Sequence, residues 1–301
     1  MKRAFYGLAD FNQPLNSWDV SSVTDFSDMF GFAASFNQPL DKWDMSSAND
    51  VSDMFWGATS FNQPLESWDT SSIQNMDYMF LDARSFNQPL ASWDTTAVTD
   101  MKYMFTFAES FDQPLNSWDT SQVKDMEAMF AFSNFNHPLS SWNVEHVTTM
   151  NSMFLRNPRF NQNLDCFNTR SVQDMTYMFN QATSFNQCLS TWAYKSPTAL
   201  TGPNIFNGTS CSVQGVPDTL TGPWCQDASS QCYPSNSVFG TCDPSSSAKT
   251  NHAWTSAILF GAFLTSEMIV SFVFWGKCRR WSTFCYQRND LFFSCIRHCV
   301  K

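Results

Sequence analysis

The amino-acid sequence predicts an α/β repeat solenoid with about 25 residues per coil, a short strand and a short helix in each, then a small disulfide-rich segment and one transmembrane helix. Three observations predict it. Words of the type FNQPL begin at Phe11, Phe36, Phe61, Phe86, Phe111, Phe135, Phe160 and Phe185, spaced by 25 residues except for one step of 24 after Phe111. Residues 193–253 are then dominated by Pro, Gly, Ser, Thr and Cys. Residues 254–276 run for 23 residues with one charge, longer than the roughly 20 that cross a bilayer.

Each element follows from a local pattern. Val23, Phe26, Met29 and Phe30 fall at i, i+3, i+6 and i+7, which places them on one face of a two-turn helix over VTDFSDMF. Ser22 and Asp25 sit three apart, as in a capping box with Asp in place of Glu. The other half of the unit, PLNSWDV, reads as extended, with Leu15 and Trp18 pointing inward. Such a unit cannot bury its apolar face alone, so its neighbours must cover it. Phe11 then sits on Phe36 and Phe61. Trp18, Trp43, Trp68, Trp93, Trp118 and Trp142 form a second column, continued by Phe167 and Trp192, and Met29–Phe30 and their equivalents form a third. Core filling accounts for these aromatics.

Two polar columns accompany the core. Asn12, Asn37, Asn62, Asn87, Asp112, Asn136, Asn161 and Asn186 make an amide ladder that can satisfy backbone groups inside the stack. Asp19, Asp44, Asp69, Asp94 and Asp119, followed by Asn143 and Asn168, make a column of carboxylates. Stacked carboxylates repel unless something compensates. Either each accepts a bond from the Ser or Thr two residues on, or the column is a stripe for divalent cations, Ca2+ suiting oxygen ligands best. Asn16, Asp41, Glu66 and Asn116, with Ala91 and Ser140, are the variable exposed strand positions and the expected ligand contacts.

The unit FNQPLNSWDVSSVTDFSDMF resembles the repeat of BspA-like surface proteins, the mycoplasma-type lipoprotein repeat also found in microalgae and other protists. The resemblance covers roughly residues 5–192. It implies a leucine-rich-repeat-like fold, a cell-surface location and roles in adhesion or recognition, with no active site to carry over. The pattern fades at the end, where Phe167 replaces Trp, Cys188 replaces Pro and Ala193 replaces Asp.

The expected organisation is a partial repeat at 1–10, eight repeats at 11–192, a cap and stalk at 193–253, the span at 254–276 and a basic tail at 277–301. Phe5 precedes Phe11 by six residues, as Phe30 precedes Phe36, so Met1 falls inside a repeat and a truncated start is expected. Cys166, Cys188, Cys211, Cys225, Cys232 and Cys242 precede the span and are the disulfide candidates. Cys166 and Cys188 either pair with each other or tie the last repeats to the cap. The spacing has no CxxC and no His among these cysteines, which disfavours zinc. Asn207-Gly208-Thr209 is a glycosylation sequon. Trp254 and Trp275 bracket the span, and Lys277, Arg279 and Arg280 follow it. The positive-inside rule then puts the tail in the cytoplasm and the repeats outside, as a single-pass plasma-membrane protein. Glu267 is either a packing site or a tolerated protonated acid. Cys278 and Cys285 are palmitoylation candidates beside the membrane.

Before residue 254 there are 25 acids against 11 Lys and Arg, an acidic body that argues against nucleic acid. The four His do not cluster, and no phosphate loop or nucleophile elbow occurs. No enzyme is expected. The expected function is adhesion or ligand recognition through one face of the repeats, toward an extracellular protein or glycan. The alternatives are a surface coat or spacer, and a tail-anchored intracellular scaffold.

Overall fold

In a computed structural model of the full chain, residues 1–189, 191–192, 196–197, 202–212 and 224–225 are described. The chain divides into two compact units, Met1–Ala248 and Lys249–Lys301, and every described residue lies in the first. The expected span at 254–276 with Glu267, the tail with Cys278 and Cys285, and Cys232 and Cys242 lie outside the described residues. No helix among the described residues is long and apolar enough to cross a membrane.

Repeats lie in register on one another. Parallel bridges join Asp25 to Asp50, then Asn75, Asp100, Asp125, Thr149 and Asp174 in an unbroken series. The octapeptide VTDFSDMF is not the expected helix: the only named helix among the described residues is one 3-10 turn, Thr169–Ser171. The backbone shows why. The N–H groups of Phe26, Asp28, Phe30 and Phe32 donate to the carbonyls of Asp50, Ser52, Met54 and Trp56 in the next repeat, while Met29, Gly31 and Ala33 donate three residues back. An α-helix would keep all of these bonds inside one segment. Here alternate N–H groups stitch neighbouring repeats, so every repeat needs the next one to satisfy its backbone.

That alternation needs left-handed residues. Asp28 and Phe32 have φ of 59° and 59°, and the same two places recur as Asp53 and Gly57, Tyr78 and Asp82, Tyr103 and Phe107, Ala128 and Phe132, Ser152 and Arg156, Tyr177 and Gln181. Non-Gly residues rarely adopt this conformation. It persists because two sets of backbone bonds hold it in each repeat. Nor is there a Ser22–Asp25 cap; the Asp25 carboxylate accepts the N–H and hydroxyl of Ser27 at 2.9 and 2.5 Å.

The core columns are as the spacing anticipates. Phe30, Phe55, Phe80, Phe105, Phe130, Phe154 and Phe179 are fully buried, and successive rings stack at 5.5 to 5.7 Å. Each also lies about 4 Å from the Phe that opens the following word, as Phe80 does from Phe86 at 4.1 Å. Trp68, Trp93, Trp118 and Trp142 stack at 6.2 to 6.4 Å. Each buried indole also donates backward: Trp93 Nε1 reaches the Leu65 carbonyl at 3.0 Å, and Trp43, Trp68, Trp118, Trp142 and Trp192 repeat the bond. Trp18, in the first full repeat, stays 41% exposed. Phe167 fills this place without an N–H to give. A Trp93→Phe change is therefore expected to fold but to lose about 1–2 kcal/mol, since the Leu65 carbonyl keeps only its backbone partner. Thermal denaturation of the two proteins side by side checks this, and equal melting would deny the indole bond any role.

The amide ladder is present residue for residue. Asn62 Oδ1 accepts the Asn87 N–H at 2.9 Å and the Gln88 side-chain amide at 2.9 Å, and the same pair of bonds recurs from Asn12, Asn37, Asn87, Asn136 and Asn161. Asp112 keeps the acceptor for the Asn136 N–H, its charge is met by Arg159 at 3.7 Å, and His137 Nε2 lies 3.5 Å from its Oδ1. The 24-residue step falls just after it. Ser133 and the fully buried Asn157 bridge the missing residue: Asn157 Nδ2 donates to Ser133 Oγ and the Phe135 carbonyl, and its Oδ1 accepts from Arg159 and Phe160.

The ladder runs on past residue 192. Tyr177, Phe179 and Gln181 donate to the carbonyls of Pro203, Ile205 and Asn207, and Phe206 stacks on Phe179 at 5.7 Å. Asn204 and Gly208 supply the two left-handed places. Trp224 lies edge-on to Trp192 and Phe206, beside the Cys211–Cys225 disulfide.

Candidate functional site

Of the expected ligand contacts, Asn16, Asp41 and Asn116 have side chains bonded between repeats. Asn16 Nδ2 donates to Asp41 Oδ1 at 2.7 Å, and Asn16 Oδ1 accepts the Lys42 N–H at 3.0 Å. Asn116 accepts the Ser141 N–H in the same way. Glu66 and Asp41 are exposed, and their carbonyls accept the hydroxyls of Ser92 and Ser67. The carboxylate column is likewise local. Asp19, Asp44 and Asp69 each accept the N–H and hydroxyl of the Ser two residues on, Asp94 does so from Thr96, and Asp119 accepts the Ser121 N–H. The Ser and Thr hydroxyls hold the carboxyls of Asp19, Asp44 and Asp94 below the ordinary Asp value. The column is thus a row of Asx-turns, and among the described residues no three His, Cys, Asp or Glu come together as a metal group.

The cysteines separate by role. Cys211 and Cys225 are bonded, their Cα atoms 4.8 Å apart, and Cys188 is disulfide-bonded too. The expectation for Cys166 is corrected: it is a free, half-buried thiol. It stands where other repeats have Ser67, Ser92 and Ser117, and its Sγ donates to the Ser140 carbonyl at 3.5 Å as those hydroxyls donate to theirs. Asn207 is exposed, while Thr209 is buried with its hydroxyl on the Phe206 carbonyl at 2.7 Å, so the sequon is accessible at its Asn only.

A different face gathers the chemistry. Between the bridge residue and the end of the left-handed segment, alternate side chains lie outside the main core, where Tyr103, Ala128 and Ala131 are buried as a small cluster of their own with Tyr78, Phe132 and Leu155 against it. The core columns hardly change along the chain, Phe30 and Leu15 being Phe and Leu in every repeat. The outward columns change at almost every step: Arg3, Asp28, Asp53, Tyr78, Tyr103, Ala128, Ser152, Tyr177 in one, and Tyr6, Gly31, Trp56, Leu81, Thr106, Ala131, Leu155, Asn180 in another. Rings meet across repeats there, half-buried apart from the buried Tyr103. Tyr6 lies edge-on to Phe32 at 5.6 Å, Phe32 is 4.6 Å from Trp56, Trp56 6.3 Å from Tyr78, and Tyr78 stacks on Tyr103 at 4.8 Å. Phe107 and Phe132 stack at 4.4 Å further along. Glycine makes the room. A Cβ at Gly31 would come within 2.7 Å of the Tyr6 ring, and one at Gly57, where φ is also 68°, within 2.9 Å of Phe32.

Carboxylates border the rings. Asp28, Asp53, Asp77, Asp82, Asp125 and Glu127 stand on the same segment, with Lys102 bonded to Asp100 at 2.9 Å and Asp77 at 3.4 Å. Tyr103 donates its hydroxyl to Glu127 at 2.7 Å. Burial pushes the Glu127 and Asp125 carboxyls up, against the Tyr103 and backbone bonds that favour their charge. Burial also raises the Asp82 carboxyl despite its bond to Arg84 at 2.7 Å. An acid whose folded pKa is raised weakens the fold once both states are ionised, and that penalty fades as pH falls through the folded value and is gone below the unfolded one. Glu127→Gln, which keeps an acceptor for Tyr103, is expected to raise stability at neutral pH and to lose that advantage in acid. Melting temperature against pH for both proteins reads it directly; a constant difference across pH would refute the burial penalty.

Sequence reasoning missed this face because it treated VTDFSDMF as a helix, whose outer side carries no cross-repeat ladder. The signal was available as the segment that varies most among near-identical units. A sequence-family model described as "Mycoplasma protein of unknown function, DUF285" matches the chain over residues 1–70, 40–134 and 118–214. The chain belongs to the DUF285 family. The third DUF285 match reaches past residue 192, as does the backbone ladder. No curated protein and no solved structure matches this DUF285 chain.

Proposed function

We propose that this DUF285 protein is a non-catalytic recognition protein of the cell surface: a leucine-rich-repeat-like solenoid held outside the plasma membrane by the span at 254–276, engaging an extracellular ligand through its outward aromatic and acidic face. One observation carries the reading. A uniform frame stitched by backbone hydrogen bonds supports one face whose side chains differ from repeat to repeat, and variation over a fixed scaffold is what ligand discrimination needs. The half-buried rings of Phe32, Trp56 and Tyr78, beside carboxylates, supply contact area and direction together. The resemblance to BspA-like repeats supports a surface role. A spacer would gain nothing from such a face.

The test uses the full chain expressed in cells. External protease should remove the repeats from intact cells, and those cells should adhere to panels of immobilised matrix proteins and glycans. A Phe32→Ala, Trp56→Ala variant at equal surface level should lose most of that adhesion. Repeats shielded from protease, or adhesion indifferent to the double change, would overturn the proposal.

A further inference from the structure

Two outward columns run side by side at the register of the parallel bridges. One, from Asp25 to Asp174, holds the bridge residues themselves. The other, from Ser27 to Thr176, holds the residues two positions on. Each side chain of the first accepts the N–H of its neighbour in the second, as Asp125 Oδ1 accepts the Glu127 N–H at 2.8 Å. The turn does not need a charge, since Asn75 and Thr149 make it too. The frame therefore fixes where these carboxylates stand, and their charge is left to their surroundings.

Charge gathers midway along the columns. Asp77, Asp100, Asp125 and Glu127 stand in three successive repeats with Lys102 among them, and Asp174 follows two repeats on. Lys102 Nζ meets Asp100 at 2.9 Å and Asp77 at 3.4 Å, so the cation sits with those two. Asp125 and Glu127 are met by neutral donors instead: the Glu127 N–H for Asp125, and the Tyr103 hydroxyl for Glu127 at 2.7 Å. On the following side Asp174 accepts from Asn151 at 3.0 Å and adds its own repulsion toward Glu127. Both carboxyls are half-buried, and Tyr103 belongs to the small buried cluster with Ala128 and Ala131. Water screens such a pair poorly, and a proton relieves both the burial and the repulsion. Burial accordingly raises both carboxyls.

We propose that the Glu127–Asp125 pair is a proton switch in the recognition face: in acid it takes one proton from solvent, passes from two negative charges to one, and so resets the charge that a ligand meets beside Tyr78 and Tyr103. The file of rings from Tyr6 through Phe32, Trp56 and Tyr78 ends at this pair, by way of Tyr103. A carboxylic acid and a phenol can each donate or accept, so Glu127 keeps its bond to Tyr103 when protonated, and the charge changes without the frame. The switch rests on the recognition function above and concerns its regulation.

The full chain in detergent, with 3-fluorotyrosine in place of Tyr103, is titrated from about pH 7.5 to about pH 4 and its 19F signal is followed. The signal should move in one step whose midpoint lies above that of a model-peptide Glu, about 4.3. Glu127→Gln with Asp125→Asn should flatten it; Gln keeps an acceptor for Tyr103, and Asn75 already makes the turn with the Asp77 N–H at 3.1 Å. Asp69→Asn with Asp94→Asn removes two charges from the other turn column, where Asn143 makes the turn with the Glu145 N–H at 3.0 Å, and should leave the step in place. A midpoint at or below that of the model peptide, or a step that survives Glu127→Gln with Asp125→Asn, would overturn the switch. Adhesion of cells to the panels of matrix proteins and glycans reads the consequence. Wild type and Glu127→Gln should differ about twofold at about pH 7.5, as for one partly exposed charge, and converge at about pH 4. Equal adhesion at both, or a difference that persists in acid, would deny the pair control of the face. Absence of wild-type adhesion on every panel, with the 19F step present, is instead the failure of the recognition reading, and the pair still titrates as a switch.

Discussion

Phe80→Ala is expected to destabilise the repeat stack by about 3–5 kcal/mol, the usual range for truncating a fully buried Phe. Phe80 has no exposed surface and meets four rings: Phe55 and Phe105 at 5.6 Å, Phe86 at 4.1 Å and Trp93 at 6.3 Å. Its removal cuts the Phe column midway. In a stack where each repeat touches chiefly its neighbours, such a cut also uncouples the two sides, so the unfolding transition should broaden or split rather than merely shift. Phe107→Ala is the comparison. That ring is half-exposed and stacks on Phe132 at 4.4 Å, so its loss should cost under about 1.5 kcal/mol and leave one transition. Chemical denaturation followed by far-UV circular dichroism separates the two outcomes. Equal losses would mean that the outward column is as structural as the core, which would remove the physical basis for a binding face.

How much of this the sequence disclosed depends on which backbone groups a residue type can speak for. Phe, Leu and Trp at fixed spacing have one low-energy destination, the interior, and the columns from Phe30, Leu15 and Trp43 onward are where their hydrophobicity puts them. Asn at a fixed place can both accept and donate, and the Asn12-to-Asn186 ladder was legible for that reason. The local conformation was not. Val23, Phe26, Met29 and Phe30 match a helical face, yet the same residues also fit a path in which Asp28 and Phe32 are left-handed and alternate N–H groups cross to the next repeat. Hydrophobic spacing cannot tell these apart, because both bury Phe26, Met29 and Phe30. The stitching appears only once a second repeat is present, and with it appears the outward face. Cys166 was misread for a related reason. Counting cysteines assigns partners by parity, whereas its place in the column of Ser67, Ser92 and Ser117 assigns it to a carbonyl.

The second large effect separates the shape of the ladder residue from its hydrogen-bonding capacity. Asn62→Leu, close in volume, is expected to cost about 2–4 kcal/mol, because it strands the Asn87 N–H and the Gln88 side-chain amide at one position and each orphaned donor costs about 1–3 kcal/mol where water is excluded. Both bonds are partly buried, which sets the total below the sum of two full penalties. Asn62→Asp keeps the acceptor, and Asp112 demonstrates that a carboxylate can hold this place with the Asn136 N–H at 2.9 Å. Asp112 does so beside His137 and Arg159, whereas the repeat that follows Asn62 offers Gln88 in the place of His137. Asn62→Asp should therefore fall between wild type and Leu at neutral pH. A second change, Gln88→His, sets an imidazole where His137 stands against Asp112 and should recover part of the loss below about pH 6.5, where imidazole is charged. Urea midpoints for the three variants at neutral and mildly acidic pH decide the matter. If Asn62→Leu and Asn62→Asp were equally destabilised, the ladder's value would lie in the fit of the side chain and not in the donors it satisfies. If Gln88→His gave no recovery in acid, the carboxylate at Asp112 would need another explanation than its neighbours His137 and Arg159.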